Sequence, residues 1–338
     1  MTPLDGSVCK TEDGGFIVAF DRHIERPPAK VWTALTDPKI LANWLGEVEL
    51  DLRIGGPFII RFRGMSVVMT GQISALEPGR MLEYTWTENY GMPSSKLRLE
   101  ISPADTGCRL KLSHTFTPEC ALNEIVGFAG GWHAFLDAIP AAADGKFVEY
   151  ANESSLEAGY RARYLSKPDE EPSAEFLKQS GVRLERMLPG PIDRVWEHLT
   201  NTKLLHAWFG DKSNIEPRQG GAVRLMDGHI RGVVTQWQPP RHLSYTWNVF
   251  APGDPPDAMS AYPESYLMLT LEPRGEKVLL VLTHLPVLER FEKQNAMGWH
   301  TFLDILTDTL AGRKARTRQQ YMVRNSVRYG VDLNNLAR

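Results

Sequence analysis

The chain is poor in cysteine. Its 338 residues hold only Cys9, Cys108 and Cys120, with no Cys-x-x-Cys spacing, which excludes a disulfide framework and a cysteine-based zinc site and leaves ordinary thiols. It also lacks any apolar run near the roughly 20 residues that a helix needs to cross a bilayer, so no membrane span is expected. The opening MTPLDGSVCKTEDGG has neither the basic start nor the apolar stretch of a signal peptide, and a cytoplasmic location is the expectation. Neither sign of charge dominates. With 38 Lys and Arg against 41 Asp and Glu, the net charge of -3 removes the electrostatic basis for nucleic-acid binding by the body of the protein.

What is present is repetition. Apolar residues make up 42% and charged residues 23%, the proportions of a soluble globular protein. A chain of this length exceeds one ordinary core of about 100 to 150 residues, so two domains are expected. GWHAFLD at Gly131 to Asp137 returns as GWHTFLD at Gly298 to Asp304. Val31, Trp32, Leu35, Leu41 and Trp44 are answered by Val195, Trp196, Leu199, Leu205 and Trp208. LEYTW at Leu82 is answered by LSYTW at Leu243, and LSH at Leu112 by LTH at Leu282. The offsets drift only between 161 and 170, so the matches are collinear and mark a tandem duplication.

Each copy reads alike. A strand at FIVAFDRHIE precedes Pro27-Pro28 and a short helix; Asp37-Pro38 opens a second one. Six strand-like runs follow, separated by Gly-rich turn signals, and then a long helix whose Ile125, Phe128, Trp132, Leu136 and Ile139 step by three or four. That order predicts an α+β fold in which a curved antiparallel sheet closes on its last helix, with a cavity between them. The expected domains are 14-146 and 179-313, joined by a helical or flexible linker over 147-178 and followed by a basic C-terminal tail over 314-338.

The carrying phrases, IERPPAKVWTALTDPKILANWLG, LEYTW, LSHTF and GGWHAFLDAI with their second-copy counterparts, resemble the START-like helix-grip (SRPBCC) superfamily. Within it they are similar to the family named after the activator of the heat-shock-protein-90 ATPase. The resemblance implies an apolar cavity of the kind that in related folds holds lipids, sterols or polyketides. Some such proteins are enzymes, some only carry ligands, and the namesake binds the chaperone; nothing here matches the namesake's separate N-terminal domain.

His133 with Asp137, and His300 with Asp304, stand four apart and share a helix face. A carboxylate so placed can fix an imidazole's tautomer and raise its basicity for acid-base catalysis, or simply stabilise the helix. No further acid or nucleophile is placed by sequence to complete a constellation. One His and one Asp supply only two metal ligands; His114 and His284 could complete a site, but strand-end histidines are more often satisfied structural groups, so neither metal nor cofactor is expected. The candidate ligand-lining residues are Trp44, Tyr84, Trp86, His114, Phe128 and Trp132, and in the second copy Trp208, Tyr245, Trp247, His284 and Trp299. The tail Arg313 to Arg328 carries six basic residues and no acid, which suits an anionic surface or, more simply, a solvated helix docking through Tyr321, Met322 and Val327.

The expected function is binding or carriage of a small apolar molecule. The alternatives are an enzyme using either His/Asp pair as acid or base, and a chaperone-regulating interaction module.

Overall fold

The computed structural model describes residues 4–149, 153–165, 173–178, 180–251, 253–255 and 258–336. The chain divides into two compact units, Met1–Asp169 and Glu170–Arg338. In the first, β1 (Ser7–Lys10) and β2 (Phe16–Ile24) precede α1 (Pro28–Thr36) and α2 (Pro38–Trp44). Six strands follow: β3 (Gly46–Leu50), β4 (Pro57–Phe62), β5 (Val68–Glu77), β6 (Met81–Glu88), β7 (Ser95–Pro103) and β8 (Cys108–Phe116). The unit ends in α3 (Leu122–Ala142) and α4 (Glu153–Tyr164).

The second unit repeats this order. It runs β9 (Glu175–Leu177), β10 (Gly181–Pro189), α5 (Ile192–Thr200), α6 (Thr202–Leu205), β11 (Asn214–Ile215), β12 (Ala222–Leu225), β13 (Ile230–Gln238) and β14 (His242–Val249). It closes with β15 (Ser265–Arg274), β16 (Lys277–Leu285), α7 (Glu292–Leu310) and α8 (Arg318–Tyr329). Both sheets have eight antiparallel strands in equivalent order, β1-β2-β8-β7-β6-β5-β4-β3 and β9-β10-β16-β15-β14-β13-β12-β11. These are two α+β helix-grip units, as the sequence order implies.

Local chemistry accounts for the elements. In β8 every second residue, Cys108, Leu110, Leu112, His114 and Phe116, is buried, the period of a strand with one face on a core. Pro28 sits in the first turn of α1, where its missing N–H costs nothing, and Asp37 caps α2 by accepting from Lys39 N. Asn201 caps α6 in the same way through Lys203 N.

The sheet's bend is also written twice. Register shifts occur between Ile73 and Ala75 in β5 and between Val234 and Gln236 in β13. Just before them, a Cβ on Gly71 or Gly232 would lie 1.8 Å from the carbonyl oxygen of Thr85 or Thr246, so a side chain there would force the strands apart. Such bulges bend the strand and raise its twist, which lets an eight-stranded sheet curl over one helix.

Two helices lie in the segments expected as a helical or flexible linker and as a basic tail able to dock as a helix. Helix α4, within 147-178, packs on α3 through Leu156 and Tyr160, closely enough that a Cβ on Gly130 would stand 2.7 Å from Glu157 Cα. Helix α8, within 314-338, has a Thr317–Gln320 capping box and a left-handed Gly330 at its end, and packs on α7 through Tyr321 and Tyr329. Val327 stays exposed. Their buried faces mix apolar and polar residues, on α8 Tyr321, Val323, Asn325, Ser326 and Tyr329, so their apolar periodicity is weak.

Candidate functional site

In both units the interior between sheet and long helix is nearly filled. The first keeps a void of about 20 Å³, the second one of about 10 Å³. Each therefore has room for about one water. The two voids occupy the same place in the fold: Leu35, Leu41, Trp44, Tyr84, Trp132 and Leu136 line the first, and Leu199, Leu205, Trp208, Tyr245, Trp299 and Leu303 the second. The roomy cavity expected from the sequence is thus closed down in this structure, because large aromatic rings from α2, β6 and α3 meet at its centre. Burial pushes the Tyr84 and Tyr245 phenols well above their ordinary range, so both are neutral.

Of the other candidate lining residues, Trp86, His114 and Phe128 form a ring cluster beside Trp132, with Trp86 and Trp132 centroids 5.3 Å apart. Trp247 and His284 stand in the same relation to Trp299. None of these five is among the residues that line the voids.

The histidines at the ends of the last strands belong to a hydrogen-bonded chain. Trp132 Nε1 donates to His114 Nδ1 at 3.1 Å, and His114 Nε2 lies 2.8 Å from Ser95 Oγ. An indole N–H can only donate, so Nδ1 is the acceptor and Nε2 carries the proton. His114 therefore donates to Ser95, whose hydroxyl donates onward to the Trp86 carbonyl at 3.3 Å. The second unit repeats the chain as Trp299, His284, Ser265 and Trp247, with distances of 3.0, 2.9 and 3.2 Å. A serine next to a histidine here is no nucleophile and base: the imidazole gives its proton to the serine and its lone pair is already used. Burial keeps His114 neutral far below its usual pKa and lowers His284 to about 4. Ser95 and Ser265 were missed in the sequence reading, although they open matched strands at the same 170-residue offset as the two histidines.

His133 and His300 face the opposite side of their helices, under α4 and α8. His133 Nδ1 lies 2.9 Å from the Tyr160 hydroxyl, which accepts from Gly6 N at 2.8 Å. His300 Nδ1 lies 2.9 Å from the Tyr329 hydroxyl, which accepts from Ala174 N at 2.8 Å. Nε2 faces Asp137 or Asp304 at 3.7 Å, and in the first unit Nδ1 also stands 3.3 Å from Asp5 Oδ1. Burial, reinforced by Arg22, lowers the His133 pKa; burial lowers that of His300 further. In each pair the His and Asp do face one another, with the other ring nitrogen held by a tyrosine hydroxyl.

The two carboxylates differ. Asp137 is 48% exposed and shares Arg22 with Asp5, whereas Asp304 is 2% exposed and bound by Arg186, Arg324 and Asn325 at 2.8, 2.6 and 2.8 Å. Burial alone would raise the Asp304 pKa, but the guanidiniums of Arg186 and Arg324 outweigh it and hold the carboxyl well below the usual range. The basic tail is drawn into this: Arg324 pairs with Asp304, Arg313 with Asp308, and Arg318 lies 4.6 Å over the Phe302 ring. These local pairings leave less of the tail's charge to attract nucleic acid.

Among the described residues no group of three His, Cys, Asp or Glu is placed to hold a metal, and no helix is long and apolar enough to cross a membrane.

Residues 25–144 and 189–311 each match the model of the family described as Activator of Hsp90 ATPase homolog 1-like protein. The curated proteins searched gave no match. Among solved structures, the crystal structure of CalU16 from Micromonospora echinospora is 24% identical, over 47% of this chain and 92% of that one, with a TM-score of 0.38. DynU16, from the dynemicin biosynthetic locus, is 18% identical over 89% of this chain and all of that one, with a TM-score of 0.39. MLL2253 from Mesorhizobium loti is 25% identical over 39% and 99%, with a TM-score of 0.35.

Proposed function

The chain belongs to the Activator of Hsp90 ATPase homolog 1-like family, with one copy of its fold in each unit, and from that premise we propose that each unit binds a small apolar molecule between sheet and long helix and carries it unchanged. The observation that supports this reading is the pairing of the voids. Two copies that have diverged in most surface positions both leave their unfilled space at one place, ringed by matched Leu, Trp and Tyr side chains. Interiors are otherwise packed to crystal density, so a gap kept in both copies marks where side chains part most readily. The closed hydrogen-bond chains favour carriage over turnover, since they already occupy the ring nitrogens of His114 and His284.

Native mass spectrometry of the protein purified from its host is the direct test. One apolar molecule per unit, released by denaturing extraction, is the expected result, and a clean mass in repeated preparations would count against carriage. Enlarging the first void gives a second check. Leu136, which lines it, is buried, so Leu136→Ala should cost about 2 to 5 kcal/mol of stability. The space created should be recovered on adding benzene as a rise in unfolding temperature, since apolar cavities of this kind stay dry and take such ligands.

A further inference from the structure

The two units part company at one buried position. Glu88, the last residue of β6, is only 8% exposed, and its Oε2 meets no hydrogen-bond partner among the described residues. Trp86, two residues earlier on the same strand face, is 3% exposed, and its indole Nε1 is likewise unpartnered. The indole lies near enough to ease the carboxyl's burial slightly, yet the two do not close a hydrogen bond with one another. Tyr90 from the following loop and Glu124 from the first turn of α3 are the other polar groups acting on this carboxyl.

Val249 takes the place of Glu88 in the second unit. Glu88 pairs with Met69 across the sheet, and Val249 pairs with Ile230, at the same offset that relates Trp86 to Trp247. The fold therefore forms without the acid. A buried carboxyl costs stability unless it is paired. One that the sister copy dispenses with, and that stands beside an idle donor, is the signature of a site kept for something other than packing.

We propose that Glu88 and the Trp86 indole form a polar subsite in the first unit that receives a hydroxyl group on an otherwise apolar ligand, an alcohol or phenol. This rests on the carrier reading above and adds the ligand's chemical class. A hydroxyl oxygen accepts from the indole N–H and its proton goes to Glu88 Oε2, so both idle atoms are used by one group. An ammonium would leave the N–H bare, a ketone would leave the carboxylate bare, and a hydrocarbon would leave both. The apolar body has a path inward: Trp86 packs edge to face on Trp132, which lines the void. The second unit, with Trp247 and Val249 there, takes the hydrocarbon without this preference.

Calorimetric titration of the full chain with 2-naphthol and with naphthalene tests this. At pH 8, where Glu88 is ionised, the parent protein should bind 2-naphthol at least about tenfold more tightly, the worth of one well-made hydrogen bond to a charged group. Glu88→Val, which copies the second unit, and Trp86→Phe should each reduce that preference to less than about twofold while naphthalene binding persists. A parent with no preference, or a preference that survives Glu88→Val, overturns the subsite but leaves the carrier reading standing. Failure of the parent to bind either compound removes both. Thermal unfolding of each variant establishes that it is folded.

Discussion

Replacing Asp304 by Ala should destabilise the second unit by about 4 kcal/mol, whereas Asp137→Ala in the first should cost less than about 1 kcal/mol. The residues are equivalents in the repeat, and their settings decide the difference. Asp304 is 2% exposed and takes charged hydrogen bonds from Arg186, itself 1% exposed, and from Arg324. Removing it takes from two guanidiniums the carboxylate they share, one of them, Arg186, fully buried and the other, Arg324, 19% exposed. Asp137 is 48% exposed, and Arg22 keeps Asp5 at 2.7 Å when Asp137 is gone. Urea unfolding followed by amide exchange in each unit reads both numbers. Equal losses would mean that the Asp304 network is solvated in solution. The Asp304 contribution is present above the unfolded carboxylate pKa near 3.9 and is lost as pH falls below it, because its folded pKa is depressed.

Glu88→Val should stabilise the first unit by an amount that grows about 3 kcal/mol between pH 4 and pH 8. Burial pushes this carboxyl from 4.5 up to about 7. Between those values the folded state holds a proton that the unfolded chain has released, so stability declines as pH rises and is level above pH 7. Valine has no such term. A difference between variant and parent that stays flat across this range would show that the carboxyl titrates normally. His284 runs the other way: its pKa is lowered to about 4, so its contribution is whole above about 6.5 and fades as pH falls toward 4. The second unit has Val249 in place of the acid that offsets this in the first, and should show the larger rise in amide exchange, corrected for intrinsic rates, between pH 7 and pH 5.

The repeat made much of the fold readable. Strands such as LEYTW and LSHTF alternate cleanly and recur, and the long helices carry an apolar stripe, so both sheets and both gripped helices follow from spacing alone. Helices α4 and α8 were legible only as a helical or flexible linker and a tail able to dock, since contact residues such as Leu156, Tyr160 and Tyr329 are set in polar sequence. At the site, the tryptophans and histidines stood out by type and repetition. Their roles did not, because a hydrogen bond's direction depends on which partner owns the proton, and the serines that complete the chains are too common a residue to attract notice. Glu88 was invisible for a different reason: it is conspicuous only when its burial is known and Val249 is seen in its place.

The contact of Tyr160 with His133 and Gly6, and of Tyr329 with His300 and Ala174, has a bearing on ancestry. It joins an opening segment, a buried imidazole and a closing helix, and the outer two lie beyond the family-matched residues 25–144 and 189–311. Separate acquisition would have had to arrive twice at one tyrosine, one ring nitrogen and one backbone amide in the same arrangement. A doubling that copied the whole unit, opening strand and closing helix included, accounts for both contacts with a single acquisition.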